Sequence, residues 1–270
     1  MDIDRKWMVP MITRRYEITL EQLPKSFCGC RFVFLSDLHG CEKRDLLGEI
    51  QKENPDYVLI GGDLMKGDWE FTESVSKSMQ VAEELVLKLV QHYPVYYSYG
   101  NHECKLAPEV LESYRSKLET AGVHFIVNDH VELERNGEKV MLHGLCLERS
   151  WFPKLKRFKY SVEDMEQKLG KLDSDKEKTC HILLAHHPFY FDAYKEWGAD
   201  LVLAGHIHGG IARLPFIGGV IGPDFLPFPP YSGGIYDKGA SKMIVSCGLG
   251  AHTIKLRFFN PPELTSIILN

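Results

Sequence analysis

Apolar positions along the chain fall into short runs that stop at glycine or a polar turn. Five of them stand out: Phe32-Val33-Phe34-Leu35, Val58-Leu59-Ile60, Val95-Tyr96-Tyr97, Ile182-Leu183-Leu184 and Leu201-Val202-Leu203-Ala204. Runs of this length, bounded in this way, predict buried strands that feed loops. Residues 16–20 alternate like an edge strand, and 31–35, 57–60 and 95–99 read as strands. Between them, 43–52 has helix composition. In 72–91, Val75, Met79, Ala82, Leu85, Val86 and Leu89 form a stripe at three-to-four spacing, the strongest helix signal. Residues 108–121 read as a helix closed by Gly122. Then the pattern turns strand-rich, with strands at 123–127, 131–134 and 139–143 and Asn136-Gly137 as a hairpin turn between the last two. A polar helix is expected at 161–172, a charged loop at 171–178, strands at 181–185 and 200–204 around a short helix near 190–197, and closing strands at 242–246 and 264–269. Strands and helices that alternate, then a strand-rich half, suggest an α/β chain of two packed sheets with helices outside. With no repeat and no linker, the expectation is an N-terminal extension, 1–15, and a single domain, 16–270.

Residues 214–239 depart from this pattern. They hold five prolines and six glycines, interleaved with Phe216, Phe225, Phe228, Tyr231 and Tyr236. A long irregular segment inside a domain is usually functional, and this aromatic content argues against disorder.

Composition narrows the classes. Over 270 residues, 44% hydrophobic content is enough for a substantial core. The formal charge of −5 argues against a protein that binds the phosphate backbone of nucleic acid. Seven cysteines without a CxxC pair read as reduced thiols of a cytosolic protein. No signal peptide is evident in residues 1–15, and no run reaches the roughly 20 apolar residues of a membrane span. The expected location is the cytoplasm. Residues 7–12, apolar and flanked by basic residues, leave peripheral membrane contact as a second option.

The chemistry sits where the five runs end: Ser36-Asp37-Leu38-His39-Gly40, Gly61-Gly62-Asp63-Leu64, Gly100-Asn101-His102-Glu103, Ala185-His186-His187-Pro188 and Gly205-His206-Ile207-His208-Gly209. Ligands at the ends of several buried strands can converge on one crevice. Asp, Asn and His suit manganese, iron or zinc better than a thiolate-rich structural zinc site. Asp37 and His39 are two residues apart, so a turn there lets both reach one ion, and His206 and His208 repeat this spacing. Asp63 is an isolated carboxylate suited to bridge two cations, and such a pair can clamp a phosphoryl group. Taken singly, Asp37 could cap a turn, Asp63 could form an Asx turn and His206 could be a core histidine. Recurrence after five apolar runs is what favours the metal reading.

In order and spacing, these five motifs resemble those of calcineurin-like metallophosphoesterases over about residues 31–210. A looser similarity runs through Gly248-Leu249-Gly250 and Pro261-Pro262-Glu263. Residues 16–40 and the C-terminal stretch look like the bacterial branch whose members often carry an N-terminal membrane anchor, which is expected to be absent here. The resemblance implies a metallo-dependent phosphatase-like fold, a four-layer α/β sandwich of two mixed β-sheets flanked by helices. It implies two divalent transition metals, with Asp37, His39 and His208 on the first, Asn101, His186 and His206 on the second, and Asp63 between them. It gives His102 the role of contacting the phosphoryl oxygen or protonating the leaving group, with Glu103 orienting it, while a metal-bridging hydroxide attacks phosphorus in line. His187 could meet substrate or only support its neighbour. Cys41 and Cys104 are read as flanking residues, and His124, His130, His143, His181 and His252 as structural. Arg213 is read as a surface arginine.

The function expected is therefore hydrolysis of a phosphate ester, with a phosphodiester or pyrophosphate favoured. The substrate is a phosphorylated small molecule or a lipid-linked one. Phe225 and Phe228 are the candidate contacts for an apolar portion, since relatives by resemblance include UDP-diacylglucosamine hydrolases. Neither a specific nucleic acid nor a protein partner is implied. The alternative is a non-catalytic scaffold with the same fold, and a nuclease of that fold is disfavoured by the acidic balance.

Overall fold

Alternation along the central strands decides which side chains meet. In the strand Arg31–Leu35, Phe32 and Phe34 face one way and Val33 and Leu35 the other, and all four are buried. A strand buried on both faces must lie between two layers, and the computed structural model shows which. It describes residues 10–41, 45–172, 179–210, 212–214, 216–250 and 257–270. Residues 1–9 of the expected N-terminal extension, the start of the 43–52 helix, most of the 171–178 loop, Pro215 and His252 lie outside the described residues.

The first sheet contains β1 (Ile12–Ile18), β2 (Arg31–Leu35), β3 (Tyr57–Ile60), β4 (Val95–Tyr97), β5 (His124–Phe125) and β14 (Glu263–Leu269), in the order β1-β14-β2-β3-β4-β5. β2 to β5 run parallel, β14 is antiparallel to β2, and β1 is parallel to β14. The second contains β6 (Asp129–Arg135), β7 (Glu138–Leu145), β8 (Cys180–Ala185), β9 (Leu201–Ala204), β12 (Gly234–Lys238) and β13 (Ser241–Val245), in the order β12-β13-β9-β8-β7-β6. Both sheets are mixed. A short pair, β10 (Arg213–Leu214) and β11 (Gly218–Gly219), stands apart.

Phe32, Phe34 and Leu59 of the first sheet pack against Leu142, Ile182 and Leu203 of the second, forming the inner core. The outer face of the first sheet, Val33, Leu35, Val58 and Ile60, is covered by α1 (Leu46–Glu53), α2 (Glu73–Leu89) and α3 (Pro108–Thr120). The outer face of the second, including Leu183, Val202 and Met243, is covered by α4 (Val162–Leu169) and α5 (Phe191–Trp197). The result is the four-layer sandwich expected. Helix starts follow the local signals: Thr72 accepts from the Val75 N–H at the start of α2, and Ser161 and Asp164 form a capping box on α4. Asn136 and Gly137 both have positive φ, as a two-residue hairpin turn between β6 and β7 requires. Among the described residues no helix is long and apolar enough to cross a membrane.

Two expectations change. Residues 12–15 are not an extension but the first half of β1, whose partners Glu263 to Ser266 lie at the far end of the chain. The 214–239 segment is not wholly irregular, because it includes β11 and β12. Glycines at 218, 219 and 234 hid those strands from a pattern that looks for β-branched side chains.

Candidate metal centre

β2, β3 and β4 of one sheet and β8 and β9 of the other end on the same side of the sandwich, and their loops interlock. Beyond β2 and β3, the N–H groups of Asp37, His39 and Gly40 donate to the carbonyls of Gly62, Asp63 and Leu64 at 3.1, 3.0 and 2.8 Å. The two loops thus extend the parallel ladder past the last strand residues. Between the sheets, the His206 N–H donates to Asp37 Oδ2 at 2.9 Å, and His186 Nδ1 meets the Gly61 carbonyl at 2.7 Å. That second bond leaves His186 Nε2 to face the centre.

Seven potential ligands meet there. Ligand atoms of Asp37, His39 and His208 lie within 4.8 Å of one another, as do those of Asp63, His186 and His206. His39, Asp63 and His102 form a third such group, which links the first two. His186 Nε2 is 3.1 Å from Asp63 Oδ2 and 3.8 Å from Asp37 Oδ1, and His208 Nε2 is 3.2 Å from Asp37 Oδ1. His39 Nε2 and His208 Nε2 stand 3.1 Å apart. Asn101 is buried beside Gly100, whose position would bring an added Cβ within 2.3 Å of Asp63 Oδ1.

Three of these atoms carry an unusual burden. Asp37 Oδ1, Asn101 Oδ1 and His186 Nε2 are buried without a hydrogen-bond partner. An unsatisfied buried polar atom costs about 1–3 kcal/mol, more when charged, and native structures keep few of them. Buried oxygens and an imidazole nitrogen left without partners, in groups that contain no thiolate, fit divalent cations. The backbone agrees. Asp37, His39, Asp63, His206 and His208 all adopt left-handed conformations, with φ of 56°, 50°, 56°, 70° and 53°. Residues held in that region cluster at functional sites.

The electrostatics has one cause in two directions. Burial pushes His39 and His206 well below the usual imidazole range, helped by His208 for the first and by His187 and His186 for the second. Burial would also lower His186, but Asp63 and Asp37 overcome it and hold this ring up at about 10. Asp63 is held well below the carboxylate range despite its burial, by His186 and His102. The carboxylates thus favour positive charge at the point where they converge.

The remaining expected residues fall into place unevenly. His102 is half-buried. Its backbone N–H donates to Asp63 Oδ1 at 2.7 Å, and its Nδ1 accepts from the Gly67 N–H at 2.9 Å. Lys105 Nζ is 3.5 Å from its Nε2. Glu103, expected to orient His102, accepts from the N–H groups of Asp63, Leu64 and Gly100 and from the Tyr97 hydroxyl, at 2.8, 3.1, 3.0 and 2.8 Å. It is a fully buried brace between the Asp63 and Asn101 loops, the second of which carries His102. Burial and the Asp63 charge push its carboxyl up to about 7. His187 is buried, pushed down to about 3 by burial and by His186, and stacks near His206 at 4.8 Å. Phe225 and Phe228 are exposed. Phe225 meets Lys154, and among the described residues the phenylalanine against the ligand histidines is Phe152, 4.9 Å from His206 and 6.3 Å from His186. Arg213 is half-buried, donating to the Ser232 carbonyl at 2.9 Å. His143 and His181 pair at 3.0 Å between β7 and β8.

Three contributors left no local trace in the sequence. Phe152 sits in a basic loop. Asn260, near the C-terminus, donates to the carbonyls of His208 and Gly210 at 2.6 and 2.7 Å. Arg257 donates to the carbonyls of Cys247 and Gly248 at 3.0 and 3.2 Å, while Leu249 and Gly250 donate to those of Ser36 and Asp37 at 3.1 and 2.7 Å. Tail and metal loop are thereby joined.

Against known proteins, the family model described as Calcineurin-like phosphoesterase matches residues 30–210. A zebrafish (Danio rerio) protein, transmembrane protein with metallophosphoesterase domain, is 28% identical over 267 residues. That match covers 94% of this chain and 56% of the zebrafish protein, so the chain spans little more than half of that relative. Phosphodiesterase YaeI of Escherichia coli is 25% identical, with 88% of this chain and 82% of that protein covered. A dimetal phosphatase crystal structure from Danio rerio has a TM-score of 0.52 at 14% identity, covering 82% of this chain and 88% of that one, which is a likeness of fold.

Proposed function

The chain belongs to the calcineurin-like phosphoesterase family, and we propose that it is a binuclear metal-dependent phosphohydrolase, with a phosphodiester or pyrophosphate as the favoured bond. One observation carries this reading: Asp37 Oδ1 and His186 Nε2, 3.8 Å apart, and Asn101 Oδ1 on the loop after β4 are buried and unsatisfied. In this reading Asp37, His39 and His208 hold one cation, Asn101, His186 and His206 the other, and Asp63 is shared. Manganese, iron and zinc all suit these donors. Bound there, the cations would supply Lewis-acid stabilisation of phosphoryl charge and a lowered pKa for water.

The protein's own groups do the rest. Nδ1 of His102 accepts from the Gly67 N–H, so a neutral ring carries its proton on Nε2. That N–H can donate to a phosphoryl oxygen or to the leaving group. Glu103 fixes the spacing of the Asp63 and Asn101 loops through four hydrogen bonds. Burial keeps His187 neutral beside the ligands, where it can accept from a substrate or support His206.

A lipid-linked substrate is the finer part of the proposal. Phe225 and Phe228 are exposed, and Lys154 lies over the Phe225 ring at 5.4 Å, an amphipathic surface suited to an acyl chain beside a phosphate. Phe225→Ala with Phe228→Ala should raise KM for lipid substrates and spare small ones.

Hydrolysis of an aryl phosphodiester with added manganese tests the whole reading. His102→Ala and Asp63→Ala should both lose activity, and equal rates in all three proteins would reject the assignment. Fewer than one transition metal per chain, unrestored by manganese, would favour the scaffold.

A further inference from the structure

Exposed apolar side chains need no explanation singly, but a contiguous set does. Fourteen described non-glycine residues have left-handed backbone. Five belong to the metal centre and four are Asp or Asn, which tolerate that conformation. The remaining five are Leu155, Phe216, Phe225, Phe228 and Phe259, all apolar and all at least 46% exposed. Bulky side chains in this region are true outliers, and here no core packing offsets the strain.

Most of these residues lie on loops that are bonded to one another. The Leu155 N–H donates to the Asp224 carbonyl at 2.8 Å, and Arg157 pairs with the Asp224 carboxylate at 3.1 Å. The Phe228 N–H donates to Val220 at 2.8 Å, which ties this loop to the β10–β11 hairpin that carries Phe216. The stretch 154–159 reads Lys-Leu-Lys-Arg-Phe-Lys and is exposed throughout, with four cations and no acid in a chain of net charge −5. Among the described residues, no ion pair joins Lys154, Lys156 or Lys159 to an acid.

We propose that this surface docks on an anionic lipid bilayer. Leu155, Phe158, Phe216 and Phe228 enter the boundary between headgroups and acyl chains, and Lys154, Lys156 and Lys159 meet lipid phosphates. Charge decides against the other occupants. A second copy would set the same lysines against each other across a two-fold axis. Single-stranded nucleic acid would use rings for stacking, whereas Leu155, Ile217 and Ile221 on this surface cannot stack. Phe152, at the start of the same loop, packs on His206 and His187, so the docked face adjoins the metal centre.

The test is co-sedimentation of the full chain with vesicles of phosphatidylcholine, with and without phosphatidylglycerol. Binding is expected only to the anionic vesicles and should weaken as salt rises. The pairs Leu155→Ser with Phe216→Ser, and Lys156→Glu with Lys159→Glu, should each weaken it about tenfold or more while leaving aryl diester hydrolysis unchanged. Equal binding to both vesicle types, wild-type binding by either pair, or nucleic acid bound where vesicles are not, would overturn the proposal. So would a dimer dissolved by these substitutions with vesicle binding intact. The readout involves no turnover, so failed docking and failed hydrolysis are told apart.

Discussion

Asn260 offers the sharpest way to perturb the candidate metal centre without touching a candidate ligand. It is 1% exposed, and its Nδ2 donates to the carbonyls of His208 at 2.6 Å and Gly210 at 2.7 Å. Its Oδ1 has no partner, so the amide can be oriented only one way. Asn260→Ala removes both bonds and leaves two buried carbonyls exposed to whatever water can enter. Each lost bond costs about 1 kcal/mol net, and each dry carbonyl about 1–3 kcal/mol more, so roughly 3 kcal/mol is expected after partial hydration. For a chain of this size that is a fall in Tm of about 6–12 °C. The loop released is the one that holds His206 and His208 in left-handed conformations, so bound manganese should fall in step. Asn260→Asp keeps the shape but sets an oxygen against two carbonyl oxygens, and should be worse than alanine. Differential scanning calorimetry and metal analysis of the three proteins check this. If aspartate is tolerated better than alanine, or alanine costs less than about 0.5 kcal/mol, the bonds do not hold this loop.

Three further outcomes follow from the same geometry. Gly205→Ala would place a Cβ 2.0 Å from Ser36 Oγ and 2.4 Å from Asp37 Oδ2, displacing Asp37 at a cost of about 1–3 kcal/mol, and normal manganese content in that variant would contradict the packing. Added manganese at about 100 times its Kd should stabilise the wild type by roughly 2.7 kcal/mol, and much less so Asp63→Asn; equal gains in both would refute a shared carboxylate. Burial, with His181 and His130, pushes His143 down to about 3, so the unfolded chain takes up a proton near pH 6.5 that the folded chain refuses. Stability from this residue is therefore lost as pH falls, by about 2 kcal/mol between pH 7 and pH 5, and His143→Leu should lose correspondingly less in urea titrations.

The residues that were legible in the sequence are those whose signals are local. β2, β3, β4 and β9 end where their apolar runs end, because a strand buried on both faces needs an unbroken run. α2 follows its stripe, and the ligand clusters follow their strands. What stayed hidden was set by distance along the chain. Glu103 braces residues 40 positions away, and His206 reports to Asp37 across 169. The first half of β1 lies in the assumed extension because its partner, β14, is at the opposite terminus. No window of a dozen residues contains such pairings, so Asn260, Phe152 and the bracing role of Glu103 could not be read from spacing.

The same distances explain how the strain of the centre is held. Five candidate ligand residues in left-handed backbone cost on the order of 1–3 kcal/mol each, less for Asp, which tolerates the region. Their sum rivals the whole stability of a typical domain, about 5–15 kcal/mol. It therefore cannot be held by the loops alone. The opposing terms are the cross-chain bonds: Glu103 on two loops, the Gly61 carbonyl on His186, and Asn260 on the His208 loop. Each spans elements that are anchored separately in a buried sheet. Cutting one should let a single loop relax to ordinary backbone while the sandwich stays folded, so ligand geometry should fail before the fold does.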